Sequence, residues 1–348
     1  MRRTLKTALL LTALMCVGLA PIDYAQAEGA KNHKPITHKS KVKPAALKKK
    51  TVLSAKPNKS AHSVHKKADP VSVSRIRSLQ DATTLALQSG SALVVDQGGG
   101  GALFQKNANV VAPIASITKL MTAMVVLDSS PNLLAPISIA NDDVDYLRNS
   151  RSRLGVGSVM TRESALLLAL MSSENRAAHA LARHYPGGLP AFLAAMNIKA
   201  QALGMGDTRF EDPTGLNSNN VSTANDLAKM VAAAYRYPLI REFTTTSEAT
   251  VDVGKRELSY HNTNPLVKSA DWDVGLSKTG FIQEAGRCLV MQVRLSDKSL
   301  VIVLLDSVGK LTRVGDANRI KRWLESAQAS HKLSTHASLA PDGSRPPG

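Results

Sequence analysis

Cysteine is nearly absent. The 348 residues contain two, Cys16 and Cys288, which excludes a disulfide-built scaffold and a multi-cysteine zinc site. Aromatic residues are scarce at 4%, and none stands among the N-terminal lysines. Stacking on the bases of DNA or RNA is thereby excluded for that region, so nucleic acid is not an expected partner. Acidic residues are few, 27 against 44 basic ones, for a formal net charge of +17. Long apolar runs are also missing from the N-terminus: the stretch 8–20 has 13 residues, short of the ~20 that a membrane span needs.

What that N-terminus does hold reads as a signal peptide over 1–27. Arg2, Arg3 and Lys6 precede the apolar stretch, and Ala25-Gln26-Ala27 offers a cleavage site. Export to the periplasm is the expectation, with no stable membrane anchor. Residues 28–75 follow as a basic arm whose charge is concentrated in 28–69: twelve lysines, four histidines, no arginine and two acids, Glu28 and Asp69. With no repeating apolar face it cannot offset its ordering entropy and is expected to be disordered. Such a block is a solvated spacer or a contact for anionic envelope polymers. His33 and His38 lack the cysteine or carboxylate neighbours of a metal site.

The remainder fits one large body, 76–325, and a polar tail, 326–348, that is expected to be disordered. Strands are expected at Ser91–Asp96, Ala102–Gln105, Val274–Lys278, Cys288–Leu295 and Leu300–Leu305. Between them, helices are expected at Ile117–Leu127, Arg162–Met171, Asn175–His184, Leu189–Leu203 and Thr223–Tyr235, with a last one at Thr312–Ala327. Strands at both ends with helices between predict an α+β body, its antiparallel sheet assembled from the two ends.

Three short motifs occur in order: Ser116-Ile117-Thr118-Lys119, Ser173-Glu174-Asn175 and Lys278-Thr279-Gly280. S-x-x-K also occurs at Ser40/Lys43 and Ser63/Lys66 in the arm, but only Ser116 and Lys119 open an apolar helix. Their spacing puts both side chains on one face, so the amine can reach the hydroxyl. A serine needs a base to become a nucleophile, and burial with a nearby cation, here Lys278, would lower a lysine's pKa enough to serve. Ser173 and Asn175 lie between two helices, and Lys278-Thr279-Gly280 closes a strand against which an extended peptide could lie.

These motifs resemble the signature of class A β-lactamases and penicillin-binding proteins. The chain resembles a low-molecular-mass penicillin-binding protein of the D-alanyl-D-alanine endopeptidase and carboxypeptidase group. Pro113–Met121, Met171–Ala178, Asp212-Pro213-Thr214-Gly215-Leu216 and Lys278–Phe281 carry the likeness. The resemblance implies a β-lactamase/transpeptidase-like fold, no cofactor and no metal. It implies Ser116 as acyl-ester nucleophile, Lys119 as proton acceptor and Ser173 as proton relay. Asn175, Lys278, Thr279, Gly280 and Phe281 would bind substrate, with the backbone N–H groups of Ser116 and Phe281 as the oxyanion hole. Arg313 would hold a terminal carboxylate. Peptidoglycan stem peptides and crosslinks are the implied substrates, and β-lactams the implied covalent inhibitors. Only a short polar segment follows the body, which favours the endopeptidase branch over membrane-bound carboxypeptidases with a further domain.

Two other readings are set against this one. A class A-like β-lactamase would need a water-activating carboxylate, for which Glu211 is the candidate, although its spacing to Asn217 is wrong. A non-catalytic peptidoglycan-binding protein would keep Lys278 as a peptide clamp. Cys288, in an apolar strand, reads as core, and His179 and His184 do not have metal-pair spacing.

Overall fold

The computed structural model describes residues 85–338, apart from Gly100, Lys255 and Ser296. The expected signal peptide and basic arm lie outside the described residues. Continuous Leu, Val and Ile runs at both ends of the body form the sheet. β1 (Ser91–Asp96) and β2 (Gly101–Lys106) make one hairpin. β3 (Asp273–Ile282), β4 (Gly286–Leu295) and β5 (Lys298–Ser307) make the C-terminal meander. All pair antiparallel in the order β2-β1-β5-β4-β3, β1 aligning on β5 from Ser91–Leu305 to Asp96–Leu300. The α+β architecture and the closure of one sheet by both chain ends agree with the sequence reading.

These strands are apolar without alternation because both faces are covered. Val301, Val303 and Leu305 face the main core with Cys288 and Val290. Leu300, Ile302 and Leu304 face a second core with Leu289, Met291, Ile320 and Leu324. The main core is filled by α1 (Lys119–Asp128), α2 (Arg162–Met171), α3 (Asn175–Arg183), α4 (Gly188–Ala202), α5 (Ala224–Ala234) and α6 (Pro238–Thr245). Thr161 and Thr223 cap α2 and α5 by accepting the N–H groups of Ser164 and Asp226. Helix α7 (Thr312–Ser338) covers the opposite sheet face.

Three features differ from expectation. α6 and a hairpin, Glu248–Val253 with Arg256–His261, were not foreseen. α7 continues to Ser338, past the boundary expected at 326, and residues 326–338 contain no Gly or Pro to stop it. Lys278-Thr279-Gly280 lies inside β3 rather than at its end, since Gly280 and Ile282 still pair with Cys288 and Gly286.

Candidate active site

Ser116 lies in a tight 3₁₀ turn, Ala115–Thr118, that leads into α1. The turn is strained, with Ala115 at φ +47°. Two glycines permit the close packing that holds it. A Cβ on Gly280 would stand 3.1 Å from the Ser116 nitrogen, and one on Gly215, at φ +81°, would stand 1.9 Å from the Ala115 carbonyl oxygen. Gly280 is therefore required by the approach of β3 to the Ser116 turn.

One turn on, Lys119 is fully buried, in keeping with the apolar helix that it opens. Its amine has three partners: Ser116 Oγ at 2.9 Å, Asn175 Oδ1 at 2.7 Å and the Thr214 carbonyl at 2.8 Å. Asn175 is oriented by its own amide, which donates to Ser150 Oγ at 2.9 Å. The loop supplying Thr214 wraps around the Asp212 carboxylate, which accepts the Gly215 N–H at 2.8 Å. Burial brings the Lys119 pKa down to about 8, against the opposing pull of Asp212 and Glu174.

Ser173 sits at φ +61° in the short link between α2 and α3. Its Oγ accepts from Lys278 Nζ at 2.9 Å, and the same ammonium donates to the Thr279 carbonyl at 2.9 Å. Lys278 is 1% exposed. Burial, then the charges of Lys119 and Arg313, hold its pKa well below the ordinary lysine value. The sequence reading expected burial and the charge of Lys278 together to lower Lys119; burial is the leading cause for both lysines, and each disfavours the other's charge.

β3 is an edge strand of the sheet, the position at which an extended peptide can add as a further strand. Beside it opens a cleft of about 490 Å³ that brings together Ser116, Ser173, Asn175, Thr279, Gly280, Phe281 and Arg313. Lys119 and Lys278 lie beneath its floor, reaching it through Ser116 and Ser173. Arg313 is positioned by the carbonyls of Gly280 (2.9 Å) and Cys288 (3.1 Å). Burial, then the charge of Arg287, lowers its pKa. Phe281 is half exposed, with the Arg287 guanidinium 4.4 Å over its ring.

Sequence reasoning missed several residues at this cleft, three of them in loops. Thr263 accepts from Thr279 Oγ1 at 2.7 Å, and Ser150 and Arg148 line the opposite wall. All three lie in polar loops without a motif. Other candidates fall elsewhere. The Glu211 carboxylate accepts from Asn217 and Asn219 in its own loop and is not part of the cleft. Cys288 is buried, which pushes its thiol up to about 11. His179 pairs with Asp143 at 2.8 Å, and among the described residues no cluster of metal-ligating side chains occurs.

A serine bonded to a buried lysine amine, beside a sheet edge open to an extended peptide, is the arrangement of a penicillin-binding serine peptidase. Comparison with known proteins agrees. The profile of the family described as D-alanyl-D-alanine carboxypeptidase matches residues 78–309. The chain is 50% identical over 246 residues to the D-alanyl-D-alanine endopeptidase of Pseudomonas aeruginosa, covering 70% of this chain and 79% of that one. It is 44% identical over 261 residues to the D-alanyl-D-alanine endopeptidase of Escherichia coli, covering 74% and 84%. Among solved structures, the Streptomyces K15 DD-transpeptidase superposes with a TM-score of 0.63 at 30% identity, covering 68% of this chain and 97% of that one. The chain belongs to the D-alanyl-D-alanine carboxypeptidase family of serine peptidases.

Proposed function

We propose that the protein is a penicillin-sensitive D-alanyl-D-alanine endopeptidase that opens peptidoglycan crosslinks through an acyl-enzyme on Ser116. The observation that carries the chemistry is the buried Lys119 amine, 2.9 Å from Ser116 Oγ with a pKa brought down to about 8. In its neutral form Lys119 takes the Ser116 proton while Oγ attacks the D-alanyl carbonyl carbon. The oxygen of that carbonyl gains the negative charge, and the N–H groups of Ser116 and Phe281 are read as its donors. The adjoining backbones of Ser116 and Gly280 support that assignment. Ser173, bonded to Lys278, gives its proton to the departing amine nitrogen as the C–N bond breaks and takes in exchange the one held by Lys119. Water then attacks the ester carbonyl, its hydroxyl staying on the acyl product and its proton passing to Ser116 Oγ as the C–O bond breaks.

Endopeptidase action is favoured over trimming of pentapeptide stems by the named relatives. Identity is 50% and 44% to two endopeptidases, against 32% and 28% to two carboxypeptidases. Asn175, Thr279 and Arg313 are read as substrate contacts, Arg313 meeting the carboxylate beside the scissile amide. Export is read from the 1–27 segment, and no helix among the described residues is long and apolar enough to cross a membrane. The twelve lysines of 28–69 suit a tether with sequence-independent attraction for acidic polymers.

The test is intact mass of the protein after adding benzylpenicillin, followed by digestion of purified crosslinked muropeptides. A persistent one-drug adduct together with dimer cleavage is expected. Rapid drug hydrolysis without an adduct would overturn the reading, and trimming of pentapeptides with intact dimers would replace it by carboxypeptidase.

A further inference from the structure

No motif marks Arg148, yet three walls of the cleft meet on it. It stands in a loop whose path is fixed by Asp145, whose carboxylate accepts the N–H groups of Leu147 (3.0 Å), Arg148 (2.9 Å) and Ser150 (2.8 Å). Arg148 Nε donates to the Leu216 carbonyl, two residues beyond the Thr214 carbonyl that holds Lys119. Its two terminal nitrogens cross to the β3–β4 turn and hold both oxygens of Glu284, at 3.0 and 2.9 Å. Arg148 thus lines the same cleft as Ser116 and Arg313 while its guanidinium is paired with a carboxylate of the protein itself.

The two partners are unequal. The Arg148 side chain is 23% exposed and fixed through Nε, whereas that of Glu284 is 47% exposed on a turn. An ion pair this open contributes little to stability. A second carboxylate entering the cleft can take the place of Glu284 without leaving the guanidinium unpaired, and the fork geometry of arginine suits it.

We propose that Arg148 binds a carboxylate of the peptide substrate, acting beside Arg313, and that Glu284 is its exchangeable partner in the free enzyme. The ligand class is a peptide with more than one free carboxylate, as a crosslink through diaminopimelate provides. In its choice of substrate this rests on the endopeptidase reading above. Benzylpenicillin carries a single carboxylate, for which Arg313 suffices.

Binding is measured in a Ser116→Ala background by calorimetry. The two probes are a synthetic peptide dimer joined by a D-alanyl–diaminopimelyl amide, and the same dimer with every carboxylate amidated except the one beside the scissile bond. Arg148→Lys keeps the charge and loses the fork, so it should weaken the free-acid dimer about tenfold and leave the amidated dimer unaffected. Glu284→Gln removes the competitor and should tighten the free-acid dimer severalfold, again without effect on the amidated one.

Equal weakening of both dimers by Arg148→Lys would make Arg148 a brace for Leu216 and overturn the proposal. So would Glu284→Gln without tighter binding, or no measurable binding of the free-acid dimer. Benzylpenicillin labelling of each variant with Ser116 intact reports folding; should Arg148→Lys misfold, Glu284→Gln decides alone. These are binding constants, so they stay readable if the wild-type enzyme trims stems instead of cutting dimers.

Discussion

Gly215 and Ala115 meet backbone to backbone: a Cβ on Gly215 would lie 1.9 Å from the Ala115 carbonyl oxygen. The strained residue just before Ser116 is therefore held by a contact no other amino acid permits at position 215. Gly215→Ala should cost about 2–4 kcal/mol and abolish penicillin acylation, since a positive φ and a backbone clash act together. Gly206→Ala, where a Cβ meets nothing within 4 Å, is the control. Thermal melting and fluorescent penicillin labelling of both variants check this.

Ser116→Ala should leave the melting temperature near that of the parent and remove the covalent adduct entirely. Ser173→Ala should behave differently. It removes the acceptor of the buried Lys278 amine as well as the proposed proton relay, so acylation should slow by about 10²–10⁴-fold without vanishing. Retained labelling by Ser116→Ala, read by intact mass, would contradict the assignment of the nucleophile.

The acylation rate should depend on pH through Lys119. Its pKa is brought down to about 8 by burial, so the neutral amine accumulates as pH rises through that value and the rate should climb, then level off. Lys119 and Lys278 influence one another, so the midpoint belongs to the pair. Stability has a matching sign. The unfolded lysine holds its proton up to ~10.4, so unfolding takes up a proton between about pH 8 and that value, and stability should rise with pH across the window. Stopped-flow acylation and denaturant melts over pH 6–10 test the two halves separately.

Asp143 supports the helical region from beneath. Burial opposes its charge, but bonds from His179 and Arg183 win and bring its pKa down to about 2. Arg183 Nη2 and His179 Nδ1 stand 2.9 and 2.8 Å from its oxygens. The stabilisation is present above the unfolded pKa of ~3.9 and lost as pH falls through about 2. Asp143→Ala should destabilise by about 3–5 kcal/mol at neutral pH by leaving the partly buried Arg183 guanidinium uncompensated and His179 Nδ1 without its partner. It should also flatten the loss of stability between pH 4 and 2, which acid titration by circular dichroism would report.

The sheet and the reactive groups were legible because each left a local trace. Apolar runs such as Leu300–Leu305 and the buried setting of Lys119 are properties of neighbouring residues. The hairpin Glu248–Val253 with Arg256–His261 left almost none, since among its described side chains only Val251, Val253 and Tyr260 are buried and the rest are largely polar. The Thr214 carbonyl that holds Lys119 is a backbone atom, invisible to a reading of side-chain types. Arg148 gains its place only when a loop near residue 145 and a turn near 284 are brought together, a relationship with no spacing to read.

The pairing of β1 with β5 sets an order of events during synthesis. Asp96 and Lys298, joined at 2.7 Å, are 202 positions apart in the chain. The turn bearing Ser116 leaves the ribosome long before β3, which packs Gly280 against it and carries Lys278. Contacts at such separation are slow to form. A nascent chain ending before β3 should contain every helix of the main core and still be unable to react with penicillin. Reactivity is thereby withheld until the last strands of the sheet have been made.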